Sequence, residues 1–230
     1  APVLSRPRPQ VLARRNRTGH RRRVPPSSGR DHLPGPAADA VIGVLGGSFN
    51  PPHVAHQLLA LYALETTDLD EVWLVPTFRH RFGKELAPYP DRVAMCERAA
   101  AGLGRRVRVC RAEEELARAP GFTVSRTHDL LVHLAGLHPG RRWRLLIGAD
   151  ILAEAHRWHR WDEVVTLAPP VVVGRAGAAP ATVPGMAVRP IELPPISSTE
   201  IRRRLASGED VSGLLPRAVI GYIAERGLYR

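Results

Sequence analysis

The sequence predicts a doubly wound α/β fold, a mostly parallel sheet covered on both faces, with helices closing the chain. Three observations predict it. Short runs rich in Val, Ile and Leu recur along the chain, and helix-length segments separate most of them. The 230 residues, 44% of them hydrophobic, suffice for one sizeable core. The first apolar run passes straight into a glycine turn at the mouth of a helix, the position where such sheets bind ligands.

Taken in order, Ala40–Leu45 reads as a strand, Ala55–Glu65 as a leucine-rich helix, and Glu71–Pro76 as the second strand. Thr77–Pro90 is charged and carries proline and glycine, so it reads as a surface loop over the site. Helix Asp91–Gly102, strand Val107–Arg111, helix Thr127–Leu137 and strand Trp143–Ile147 follow. A short helix at Asp162–Leu167 leads to strands Val171–Gly174 and Val188–Leu193. Two helices close the chain: Ser198–Ser207, stopped by Gly208, and Pro216–Arg226, opened by a first-turn proline and stopped by Gly227.

The formal charge of +11 is unevenly spread. Residues 1–40 hold nine arginines against Asp31 and Asp39, so seven of those charges sit there. Residues 1–39 also hold many prolines and show no helical or strand period, which predicts a disordered Arg/Pro-rich tail before a folded domain at 40–230. The prolines argue against the amphipathic helix of a transit sequence. A basic tail can hold nucleic-acid or membrane phosphates nonspecifically, but a solvated extension is the simpler reading. Cys96 and Cys110 form no CxxC pair, so neither a disulfide framework nor a zinc site is expected. With no apolar run of membrane-spanning length and no signal-peptide pattern, a cytoplasmic setting without membrane contact is expected.

Gly46-Gly47-Ser48-Phe49-Asn50-Pro51-Pro52-His53-Val54-Ala55-His56 carries the first chemistry. Two glycines let backbone approach a phosphate, Ser48, Phe49 and Asn50 continue the turn, and the helix start behind it favours anions. Double glycines alone fit a plain strand-to-helix turn. However, neither GxxxxGK[ST] nor GxGxxG is present, while His53 and His56 stand at i and i+3 on one helical face. Val54 and Ala55 between them exclude a zincin motif, so the imidazoles read as donors to phosphate oxygens rather than metal ligands.

The second constellation is Ile196-Ser197-Ser198-Thr199-Glu200-Ile201-Arg202. Hydroxyls at a helix start are ordinary caps, although neither Ser198 with Ile201 nor Thr199 with Arg202 forms a capping box. Hydroxyls, unpaired helix N–H groups and an arginine one turn on also suit the distal phosphates of a nucleotide.

With these residues the chain resembles the bacterial nicotinate-nucleotide adenylyltransferases of the HxGH/ISSTxIR nucleotidyltransferase superfamily, whose sheet is Rossmann-like. GGSFNPPH at 46–53, GAD at 148–150, ISSTEIR at 196–202 and PRAVIGYIAERGLY at 216–229 resemble that family in the same order, across roughly residues 40–230. Ala55 stands where the family pattern has glycine.

The resemblance implies transfer of the adenylyl group of ATP to nicotinate mononucleotide in NAD biosynthesis. His53, His56 and Arg202 would be catalytic. Gly46, Gly47, Ser48, Phe49, Asn50, Gly148, Asp150, Ile196, Ser197, Ser198 and Thr199 would bind ATP. Thr77, Lys84, Arg92, Thr123 and Trp158 would meet the mononucleotide, Trp158 by stacking on the pyridine ring. Gly121-Phe122-Thr123 replaces the family's SYT and lacks two of its hydroxyls. Mg²⁺ would be bound mainly through ATP phosphates, with no protein ligand assigned. Acceptance of nicotinamide mononucleotide or another acceptor, and a non-catalytic nucleotide- or RNA-binding relative, stand as alternatives.

Overall fold

The computed structural model describes residues 39–80, 85–175 and 188–230. The expected tail, except Asp39, and Lys84 lie outside the described residues. In chain order the elements are β1 (Val41–Gly47), α1 (Val54–Thr66), β2 (Glu71–Pro76), α2 (Tyr89–Ala101), β3 (Val107–Val109), α3 (Ala112–Ala117) and α4 (Thr127–Leu137). They continue with β4 (Arg142–Gly148), α5 (Ala149–Ala155), α6 (Trp161–Leu167), β5 (Pro170–Arg175), β6 (Val188–Leu193), α7 (Ser198–Ala206) and α8 (Arg217–Arg226).

The strands form one six-stranded sheet in the order β3-β2-β1-β4-β5-β6. Every neighbouring pair is parallel. Alternation along each strand divides the core between the two faces. Ile42, Val44, Trp73, Val75, Leu145 and Ile147 pack with Leu130, Leu131 and Leu134 of α4 and Val164 of α6. Val41, Leu45, Val72, Leu74 and Leu146 pack with Leu59, Ala60, Ala63 and Leu64 of α1 and with Cys96 and Ala100 of α2. Gly43 belongs to this tight arrangement, since a Cβ there would stand 2.8 Å from Leu69. The remaining face of α2, with Met95 and Ala99, meets Ile201 of α7 and Val219 and Ile223 of α8.

Strand order reverses between β1 and β4, so a crevice opens beyond their carboxyl ends, Gly47 and Gly148. Two short helices were not anticipated. In α3, Glu113, Glu114 and Glu115 occupy the first turn, where the helix dipole favours acids, and Arg111 becomes its N-cap instead of ending the strand. In α5, seven residues beginning at Ala149 are too few for a helical period to emerge from the sequence. Among the described residues no helix is long and apolar enough to cross a membrane.

Candidate active site

The carboxyl end of β1 opens into a cavity of roughly 1390 Å³, whose wall includes 46–50, His53, Ala55 and His56 from the β1–α1 turn and Ile196–Thr199 and Arg202 from the start of α7. A Cβ on Gly46 would meet no protein atom within 4 Å, and one on Gly47 would first meet the Phe49 ring at 3.4 Å. The surrounding protein therefore does not demand glycine at 46, and the open space belongs to the cavity. Phe49 holds a left-handed φ of 45°, a strain of about 1–3 kcal/mol for a non-glycine residue, offset by burial of its ring.

That ring helps to fix His56. The Phe49 and His56 centroids are 4.9 Å apart, and His53 stacks on His56 at 3.8 Å. His53 is the N-cap of α1, and its backbone N–H donates to His56 Nδ1 at 3.0 Å. A ring nitrogen that accepts an N–H carries no proton, so neutral His56 holds its proton on Nε2. The two histidines, expected as equivalent donors, thus differ: the main chain of His53 sets the tautomer of His56. Ala55, buried in the wall, is the second residue of α1, where its methyl is compatible with the helix.

α7 meets this turn directly. Its N-cap is Ser197, whose Oγ accepts from Glu200 N–H at 3.2 Å, one residue before the caps considered from sequence. Ser198 Oγ donates to the Pro51 carbonyl at 2.9 Å, and Arg202 Nη1 donates to the Asn50 carbonyl at 2.8 Å, with Nη2 3.3 Å from Thr199 Oγ1. Ile201, fully buried against α2 and α8, contributes about 1.5–3 kcal/mol and keeps the neighbouring Arg202 on the cavity side. The two segments recognised separately in the sequence thus form one wall.

Asn50 is a junction with only 2% exposure. Its Oδ1 accepts Ala87 N–H at 3.0 Å and the Tyr229 hydroxyl at 2.7 Å, while its Nδ2 faces the Glu85 carbonyl at 3.4 Å. The expected loop over the site therefore contributes Thr77, His80, Glu85, Leu86 and Ala87 to the wall, and its last residues, Tyr89 and Pro90, begin α2.

Arg92 requires a correction. Expected at the mononucleotide, it is 1% exposed and absent from the wall. Its guanidinium donates to the carbonyls of Ala87 at 3.0 Å, Ser48 at 2.8 Å and Phe78 at 3.5 Å. Burial lowers its pKa, and three of its five N–H donors go to carbonyls at Ser48, Phe78 and Ala87, so it braces both ends of the 77–90 segment. Thr123 is exposed and outside the wall, its carbonyl accepting from Arg79 at 3.4 Å. Thr77 and Gly148 are in the wall, as is the half-buried Trp158, edge-on to Trp161 at 5.7 Å. Asp150 falls in the first turn of α5, with its side chain outside the described residues.

Several wall residues escaped sequence reasoning. Glu113 is buried, accepts from the Phe78 N–H and the Ser125 hydroxyl, and is pushed upward in pKa by burial against the downward pull of those bonds. No local pattern marked it. Leu228 and Tyr229 also line the cavity, and their only sequence signal was membership of the closing segment. His128, Asp129 and His159 bring donor atoms within 4.8 Å of one another. Arg126 and Arg160 pair with Asp129 and Glu163, the two carboxylates that flank His128, so this cluster ties α4 to α6 as an ion-paired network.

Comparison with known proteins agrees with this geometry. Residues 44–204 match the family model described as Cytidylyltransferase-like. A probable nicotinate-nucleotide adenylyltransferase of Anaeromyxobacter sp. (strain K) is 57% identical over 189 residues, covering 82% of this chain and 96% of the relative. One from Myxococcus xanthus is 42% identical over 190 residues, covering 82% and 94%. The solved Plasmodium falciparum nicotinic acid mononucleotide adenylyltransferase, complexed with NaAD, superposes with a TM-score of 0.68. It is 20% identical, covers 83% of this chain and 97% of its own, and supports the fold.

Proposed function

The chain belongs to the nicotinate-nucleotide adenylyltransferases of the cytidylyltransferase-like family, and from that premise we propose that it joins ATP and nicotinate mononucleotide into nicotinate adenine dinucleotide with release of pyrophosphate. The observation that carries the reading is the direct bonding of Ser198 and Arg202 to the carbonyls of Pro51 and Asn50, which makes one anion-binding wall from two helix starts.

In this reaction an oxygen of the mononucleotide 5′-phosphate attacks the α-phosphorus of ATP. A new P–O bond forms as the α–β bridging bond breaks, and the electron pair leaves with pyrophosphate. The nucleophile is already ionised, so the protein aligns the groups and stabilises charge. His56 donates through Nε2 to an α-phosphate oxygen, and His53 supports it by stacking and by its backbone N–H. The turn 46–50, Gly148 and Ile196–Thr199 surround ATP, while Arg202 holds the departing pyrophosphate. Thr77 and Trp158 remain the mononucleotide contacts supported by the wall; Arg92 acts by bracing.

Mg²⁺, when bound, neutralises phosphate charge. The wall offers hydroxyls, imidazoles and a guanidinium at the two helix starts and Glu85, Glu113 and Glu154 elsewhere, and in the proposed reaction the ion is carried on the triphosphate and water. The reading includes a cytoplasmic setting, supported by Cys96 and Cys110 as free thiols.

Pyrophosphate release measured with ATP and either mononucleotide tests the assignment. Nicotinate mononucleotide is expected to give the higher kcat/KM, and preference for nicotinamide mononucleotide would reassign the acceptor. No release with either substrate at saturation would defeat the enzyme reading. Gly46→Ala tests the phosphate turn separately. Because the added methyl meets no protein atom within 4 Å, Tm should be unchanged, while the ATP KM should rise about 10-fold through crowding at the triphosphate, a loss of about 1.4 kcal/mol. An unchanged KM would remove Gly46 from the ATP site.

A further inference from the structure

We propose that Tyr229 is a positioning residue for ATP, acting through Asn50 to hold the β1–α1 turn in its binding geometry. The inference rests on the adenylyl-transfer reading.

The chain beyond α8 is shaped to deliver this side chain. Gly227 ends the helix at a φ of 61°, its N–H 3.3 Å from the Ala224 carbonyl, and Leu228 N–H reaches the Ile223 carbonyl at 3.1 Å. Tyr229 itself has a φ of 61°, a left-handed conformation that costs a non-glycine residue about 1–3 kcal/mol and therefore needs compensating contacts. Its ring packs at the α2–α7–α8 cluster, and its hydroxyl donates to Asn50 Oδ1 at 2.7 Å.

Anchoring α8 does not explain this bond. Val219 and Ile223 bury the helix against α2, and Tyr222 Oη and Arg226 Nε bind Asp91 Oδ1 of α2 at 2.7 and 3.2 Å. The Tyr229 hydroxyl instead reaches the residue whose carbonyl receives Arg202 and whose Oδ1 receives Ala87. Burial raises the phenol's pKa, while the Arg202 and Arg92 guanidiniums oppose the shift, so the hydroxyl remains a donor through neutral pH. Its removal leaves Asn50 Oδ1 with one donor and loosens the carbonyl that orients Arg202.

Tyr229→Phe keeps the ring and deletes the donor. The ATP KM should rise about 5- to 10-fold, the effect of losing one net hydrogen bond, with kcat changed by less than about 2-fold if ground-state ATP positioning is the function. Tyr222→Phe is the structural control: it should lower Tm and leave the ATP KM unchanged. In an Asn50→Ala background, Tyr229→Phe should add no further increase in KM, because Tyr229 acts through Asn50. An unchanged KM in Tyr229→Phe, or full additivity in the double variant, would overturn the proposal. Calorimetric titration of ATP alone provides a readout independent of turnover. If the unmodified chain releases no pyrophosphate, the reaction assignment fails, while weakened ATP binding by Tyr229→Phe would still support the positioning role and unchanged binding would still overturn it.

Discussion

His56→Ala is expected to lower kcat about 10²- to 10³-fold, the usual effect of deleting a donor aimed at developing charge. The structure also predicts a smaller, separable loss of stability. Removing Nδ1 takes away the acceptor of the His53 backbone N–H at a largely buried helix start, at a cost of about 1 kcal/mol. His56→Asn distinguishes the effects, since a short side-chain oxygen can accept that N–H without reproducing the Nε2 donor. The asparagine variant should recover Tm relative to alanine and remain catalytically poor. Near-normal turnover in both variants, with only Tm changed, would make His56 structural.

Arg202→Ala is expected to raise the ATP KM at least about 10-fold, corresponding to loss of a charged hydrogen-bond donor of about 1.5–3 kcal/mol. Two defects contribute: the triphosphate loses a cation, and the Asn50 carbonyl loses its 2.8 Å donor. Arg202→Lys should recover little, because one ammonium cannot span both Asn50 O and Thr199 Oγ1 as the guanidinium fork does. Unchanged ATP KM and kcat in Arg202→Ala would remove the residue from the site.

The apolar strands made the sheet legible in sequence, because residues 41–45 and 71–76 are buried throughout and leave little ambiguity about a two-sided core. The turn at 46–56 was legible because glycines and histidines recur within one strand-to-helix passage. Arg92 was not, since its role depends on carbonyls 5, 14 and 44 residues away. Glu113 and Tyr229 likewise acquire their roles from partners supplied by tertiary folding. The Ser197 cap was missed by one position although Ser197 and Glu200 match the S/T-x-x-E pattern of a helix start, and the bond from Glu200 N–H to Ser197 Oγ identifies it.

The contacts that close the cavity wall join residues 147, 152 and 179 positions apart: Ser198 to Pro51, Arg202 to Asn50, and Tyr229 to Asn50. During synthesis the glycine turn and both histidines emerge long before their partners. All six strands precede the donors Ser198, Arg202 and Tyr229 in the chain. A chain ending before Ser198 lacks the donors of all three bonds.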